Sequence, residues 1–214
     1  MQVPQNKDRQ ALLYGLAAVL AWSTVATAFK LALRELDVFQ LVAYSVCFSA
    51  LTLLVILWRQ GRLSLLKEYA IATPGYFLLM GIVNPVLYYV VLLHAYDLLP
   101  AQQAQAINYT WAISLAVLAV PLLGHKLNRR DLLALVLGYS GVLIIATRGQ
   151  VLTLQFDSIE GVGLALLSTL IWALYWLFST RNQRDPIACL CLNFIVAAPL
   201  ALLLCAQFSS LDMP

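Results

Sequence analysis

Charge is what this chain of 214 residues has least of: Asp, Glu, Lys and Arg together make up 11% of it, against about 25% in soluble proteins. So few charges cannot cover a core with a water-facing surface. The longest polar connection, Trp58 to Thr73, is too short to fold by itself, which excludes a separate soluble domain. Histidine is scarce, with two residues, His94 and His125. The four cysteines, Cys47, Cys189, Cys191 and Cys205, all fall in apolar runs, where Cys acts as a small apolar side chain. A Cys-x-Cys pair without nearby His or further Cys is a poor metal site, and a disulfide fits no better. No metal or other cofactor is expected. The net charge of +3 is no nucleic-acid signal either, because the basic residues form several clusters rather than one patch.

What the chain has is long uncharged runs. Seven stand out: Ala11–Phe29, Val38–Leu57, Pro74–Leu93, Ala101–Leu123, Leu132–Thr147, Gly161–Thr180 and Ile187–Ala206. A bilayer core about 30 Å thick needs roughly 20 apolar residues at about 1.5 Å rise, which most of them supply; Leu132–Thr147 is short. Ten Lys and Arg fall on one side of such an arrangement (Lys7, Arg9, Arg59, Arg62, Lys67, Lys126, Arg129, Arg130, Arg181, Arg184) and three on the other (Lys30, Arg34, Arg148). By the positive-inside rule the N-terminus is cytoplasmic and the C-terminus outside. The composition thus predicts an all-α membrane protein, a polytopic helical bundle of the inner or plasma membrane with seven transmembrane helices. Its first partner is the lipid bilayer. No convincing small-residue cleavage site follows the first run, which reads as a retained signal anchor.

An offset of 150 residues brings Trp22 onto Trp172 and Arg34 onto Arg184, and replays the layout of residues 11–57 in 161–206. An odd-numbered unit repeated in sequence inserts inverted, as in many secondary transporters. The expected organisation is a cytoplasmic tail (1–10), a first five-helix unit (11–148), an external connection (149–160) and an incomplete second unit of two helices (161–214).

Polar groups inside the runs mark the candidate site. Gln102, Gln105 and Asn108 recur every third residue, with Tyr109 adjoining. Such amides either line a wet cavity or serve as interhelical glue worth roughly 0.6 kcal/mol per contact. Asn84-Pro85 sits mid-run, where Pro85 removes a backbone donor and predicts a kink; Asn84 and Tyr88 lie one turn apart beside it. The break either lines a cavity or is a tolerated kink. Ser23 faces outward along the first run or bonds back to its own helix. Trp22 and Trp172 are deep for interfacial residues and either stack on a solute or pack, whereas Trp58 and Tyr96, near run ends, read as interfacial anchors. No Asp, Glu, Lys or Arg falls within any run, which argues against antiport through a buried carboxylate. Passage of a neutral or zwitterionic solute fits better.

The stretch LLPAQQAQAINYTWAISLAVLAVPLLGHKLNRRDLLALVLGYSGVLIIATR, from Leu98 to Arg148, resembles the fourth and fifth spans of the EamA family in the drug/metabolite transporter superfamily. Shared are the small-residue entry, Asn-Tyr-x-Trp, the Leu-Leu-Gly turn, the basic cluster and Gly-x-x-Gly-Val-x-Ile. GLAAVLAWSTVATAFK resembles the family's first span and GLALLSTLIWALYWLFSTR its sixth. Trp22-Ser23-Thr24 and Asn108-Tyr109-x-Trp111 lie nearest in flavour to the aromatic amino-acid exporters. His125 stands where many members carry Glu, and Ala112 where a Pro commonly follows; the latter implies a less kinked fourth helix.

The resemblance implies a permease that moves small metabolites such as amino acids, outward, by alternating access and without enzymatic chemistry. Its substrate cavity would be built from Trp22, Ser23, Asn84, Tyr88, Gln102, Gln105, Asn108, Tyr109 and Trp172. Three spans of the expected pathway are missing from the second unit, so the alternative is a non-transporting remnant, or a subunit completed by another copy or by C-terminal helices supplied elsewhere. A seven-helix receptor is disfavoured by the inside N-terminus and the lack of a Lys in the seventh run. An intramembrane enzyme is disfavoured because no paired Asp, Ser–His dyad or His-rich set is present.

Overall fold

The computed structural model describes residues 5–152 and 157–210. Parts of the tail 1–10, the connection 149–160 and the segment 161–214 therefore lie outside the described residues. Eleven α-helices, and no strand, are found among the described residues. They are α1 (Gln5–Ser23), α2 (Val25–Ala32), α3 (Val38–Arg59), α4 (Ser64–Ala72), α5 (Pro74–Gly81), α6 (Tyr88–Leu98), α7 (Ala101–Asn108), α8 (Trp111–Leu123), α9 (Arg129–Ala146), α10 (Ile159–Ser179) and α11 (Pro186–Phe208).

Several are halves of one span, and six stretches are long and apolar enough to cross a membrane: Arg9–Ala32, Val38–Arg59, Pro74–Leu98, Ala101–Leu123, Ile159–Ser179 and Pro186–Phe208. The protein is an all-helical polytopic bundle. The fifth predicted run differs from the rest. It is helical, but Arg129, Arg130 and Asp131 occupy the first turn of α9. The uncharged remainder rises only about 22 Å at 1.5 Å per residue, short of a full bilayer core.

Where the runs break, the sequence says why. Asn84 leaves the helical region (φ −147°, ψ 117°) just before Pro85, and a π-type turn over Ile82–Leu87 joins α5 to α6; the Pro ring cannot continue the ladder. α1 and α2 part at Thr24, whose hydroxyl bonds the Ala21 carbonyl at 2.8 Å. α7 and α8 part at Tyr109–Thr110, where the Thr110 hydroxyl turns back to the Ile107 carbonyl at 2.8 Å. The expectation of a less kinked fourth span fails there: the interruption comes from Thr110 and needs no Pro at 112.

Starts are capped. Asp37 and Gln40 form a capping box on α3, Asn128 and Asp131 one on α9, and Ser158 and Asp185 cap α10 and α11. Gly124, at φ +71°, closes α8 in the left-handed region that favours glycine.

α6 is the axis of the bundle. One of its faces packs on α10 and α7 through Tyr88, Leu92, Tyr96, Ile107 and Ala165. The other meets α3 and α11 through Leu93, Val42, Val46 and Ala201. Glycines set three close approaches, that of Gly138 on α9 to Ile113 on α8 among them. A Cβ on Gly81 would lie 2.8 Å from the Asn193 carbonyl oxygen of α11, and one on Gly161 would lie 2.7 Å from Leu99 Cγ. By contrast Arg9–Ser23 of α1 is exposed among the described residues. Tyr96 is not an interfacial anchor; only 1% of it is exposed, within the core. Trp58, exposed at its span end, is placed as an anchor would be.

Candidate functional site

The break at Thr24, the start of α6 and the joint between α7 and α8 border a cavity of about 200 Å³ with α10 on its fourth side, open where Trp22 and Tyr109 are exposed. Trp22, Val25 and Phe29 reach it because they share one narrow helical face across the Thr24 joint. Tyr88 and Tyr89 enter from the first turn of α6, Gln105 and Asn108 from α7, Tyr109 and Trp111 from the joint that follows, and Trp172 from the middle of α10. Seven aromatic rings and two amides thus dominate the lining, and none of the lining residues is charged.

The two amides are held differently. Asn108 is buried, and its Nδ2 donates to Ser168 Oγ at 3.0 Å. Ser168 in turn donates to the Ala165 carbonyl at 2.7 Å. That chain fixes which end of the Asn108 amide points at α10. The Tyr88 hydroxyl donates to Asn108 Oδ1 at 3.5 Å. Gln105 Oε1 accepts from the buried Tyr96 hydroxyl. Its Nε2 has no protein partner among the described residues, nor have the indole N–H groups of Trp22, Trp111 and Trp172. The lining residues therefore carry N–H donors without a protein partner among the described residues, beside aromatic rings and with no carboxylate. Tyr88 and Trp172 stack at a tilt, with centroids 4.6 Å apart.

Of the nine residues singled out in the sequence, six line this cavity: Trp22, Tyr88, Gln105, Asn108, Tyr109 and Trp172. Three do not. Ser23 bonds back to the Leu20 carbonyl at 2.7 Å. Gln102 is exposed, since three-residue steps drift about 60° each and carry it some 120° from Asn108. Asn84 is buried in the π-type turn that precedes α6, beside the Tyr175 hydroxyl, with its Oδ1 unpartnered among the described residues.

Phe29, Tyr89 and Trp111 were not anticipated as lining. The available signal was the Tyr88-Tyr89 pair following Pro85 and the i, i+3, i+7 spacing of Trp22, Val25 and Phe29. Gln103, unlike its neighbour Gln102, is buried with both amide atoms unpaired. Polar glue is present too: Ser114 and Thr169 meet at 2.9 Å between α8 and α10.

The described residues thus form a helical membrane bundle with an uncharged aromatic cavity beside its broken spans, open toward the exposed helix α1. Residues 9–147 match the EamA-like transporter family, and the chain belongs to it. That family is a transporter family and not an enzyme family. An uncharacterized transporter of Archaeoglobus fulgidus is 25% identical over 167 residues, which cover 76% of this chain and 55% of that protein. The chain thus spans about half the length of the curated relative it matches. A solved protein crystal structure shares the fold at a TM-score of 0.68 and 22% identity, over 96% of this chain and 70% of that one.

Proposed function

We propose that the chain forms the solute-binding part of an inner-membrane EamA-type permease. It moves small neutral or zwitterionic metabolites, amino acids with aromatic side chains first among them, by alternating access and in the outward direction. The observation that carries this is the convergence of six residues, from four predicted spans, on one uncharged aromatic cavity. A solute ring stacks between Trp22, Tyr109 and Trp172, and a carboxylate accepts from Gln105 Nε2 and the indole N–H groups. No carboxylate lines the cavity, which argues against coupling through a buried carboxylate at this site.

The topology that goes with it has seven spans, α9 being completed by its charged first turn at the interface, and a cytoplasmic N-terminus. α1–α9 form one five-span unit, and α10–α11 begin an inverted second one. Trp22 and Trp172, related by the 150-residue offset, both line the cavity, as an inverted pair would.

Counterflow in proteoliposomes loaded with L-phenylalanine tests this. Accumulation of labelled phenylalanine above empty vesicles is the expected result; absence of exchange for every aromatic and aliphatic amino acid tried would overturn it.

A further inference from the structure

Behind the cavity lies a second chamber of about 100 Å³, and the two share only Phe29 and Tyr89 in their walls. The far wall of the smaller chamber includes Ser45 and Ser49 of α3, together with Pro85. Three observations set it apart from a packing defect.

The helix break borders this chamber and not the larger one: Pro85 lines it, directly after the non-helical Asn84. Irregular backbone at membrane depth is tolerated where it lines a cavity, and broken helices frame the binding sites of many transporters. The chamber is what this break lines.

Ser45, which is exposed, and Ser49, which is half-buried, sit one turn apart on one face of α3, and their hydroxyls make no hydrogen bond among the described residues. Thr52, further along the same helix, bonds back to the Phe48 carbonyl at 2.8 Å, and Ser140 and Ser168 close on their own helices in the same way. A hydroxyl in an apolar helix ordinarily does so. These two remain free to donate and accept.

The dividing wall consists of two side chains. Phe29 meets Tyr89 and Tyr96 edge to face, with centroids 6.2 and 5.5 Å apart, and packs half-buried between the two core clusters. It rides on α2, an eight-residue helix jointed at Thr24. Edge-to-face contacts are individually weak, and the half-buried Phe29 on the jointed α2 is the member of the wall that would have to yield for the two spaces to join.

The geometry points to a two-station path. Phe29 and Tyr89 partition the cavity from a second subsite, in which the Ser45 and Ser49 hydroxyls receive the hydrogen-bonding end of a neutral or zwitterionic solute once the Phe29 ring moves. This rests on the cavity being the solute site proposed above.

The test uses Ser49→Cys in a chain whose Cys47, Cys189, Cys191 and Cys205 are replaced by alanine, reconstituted in liposomes. A small water-soluble methanethiosulfonate labels the thiol slowly while Phe29 is present. Phe29→Ala speeds labelling about tenfold, the scale of losing two edge-to-face contacts, whereas labelling of Ser140→Cys is unchanged by it. Phe29→Leu, checked for an intact melting transition, replaces Phe29→Ala if the latter does not fold. Saturating L-phenylalanine then slows modification at Ser49→Cys. Equal labelling rates with and without Phe29 overturn the partition whatever the flux measurements give. Phenylalanine that is transported yet leaves the thiol unprotected overturns the second station. If no amino acid is transported but labelling still responds to Phe29, the partition stands and the transport proposal alone falls.

Discussion

Tyr88 and Trp172 come from predicted spans three and six, yet their rings lie 4.6 Å apart between centroids at an interplanar angle of 33°. This pair joins the α6 face of the cavity to the α10 face, and it stands beside Asn108, which bonds to both helices through Tyr88 and Ser168. Aromatic pairs in such offset contact contribute about 0.5–1.5 kcal/mol beyond the area they bury. If the cavity holds an aromatic solute, the same faces take part in binding it. Trp172→Ala should weaken phenylalanine binding about tenfold, while Trp172→Phe keeps most of it. Equilibrium binding to purified protein measures both, and equal losses in the two variants would remove the stacking role.

Asn108 and Gln105 supply the amides of the cavity, whereas Ser140 on α9 bonds only to its own helix, at 2.8 Å to the Val136 carbonyl. Interhelical hydrogen bonds in membranes average about 0.6 kcal/mol and reach about 1.7, equivalent to roughly three- to twentyfold in affinity. Asn108→Leu and Gln105→Leu should each lower exchange activity by that range at equal membrane levels, with Ser140→Ala unchanged. Equal activity in all three variants would separate the amides from solute binding.

Exchange should be flat between about pH 5.5 and 8. The lining holds no Asp, Glu, His or Lys, so it lacks the side chains that ordinarily change charge near this window. A steep pH dependence in counterflow would place an ionisable group on the path that the cavity lining does not contain.

Gly81 allows α5 to approach α11 to within contact of the Asn193 carbonyl, where an added Cβ would stand at 2.8 Å. A backbone oxygen cannot rotate away, so Gly81→Ala should cost about 1–3 kcal/mol of stability. Gly163→Ala, which meets nothing within 4 Å, should be neutral or slightly favourable for helix formation. Thermal unfolding in detergent compares the two, and a neutral Gly81→Ala would show that the two helices can separate at no cost.

The distribution of Lys and Arg predicts that the α3–α4 turn is cytoplasmic and the α9–α10 connection external. A single cysteine at exposed Gln60 should resist a membrane-impermeant thiol reagent in intact cells, and one at exposed Leu152 should react. The reverse pattern would invert the topology.

Span positions were legible in the sequence because hydrophobic length is a local property. Six of the seven runs came out as crossing helices within a few residues, and the break at Asn84-Pro85 and the turn at Gly124 followed from the missing proline donor and the positive φ of glycine. The faces were harder to read. Gln102 was expected to point inward and is exposed, its neighbour Gln103 is the buried one, and Tyr96 changed from an interfacial anchor to the hydroxyl that holds Gln105. In water an amphipathic pattern separates the two faces of a helix; here lipid-facing and protein-facing sides are both apolar, and periodicity loses its meaning.

The sequence by itself determined that this chain enters a bilayer, roughly where its spans lie, that the third must bend at Asn84-Pro85, and which aromatic and amide groups it carries to membrane depth. Hydrophobic length, charge placement and backbone chemistry suffice for that. Which of those groups meet was decided only by tertiary packing. Lateral contact between helices in lipid depends on shape and on interhelical hydrogen bonds, as where Gly81 meets the Asn193 carbonyl and Asn108 meets Ser168. Neither contact is written in the pattern of any one span.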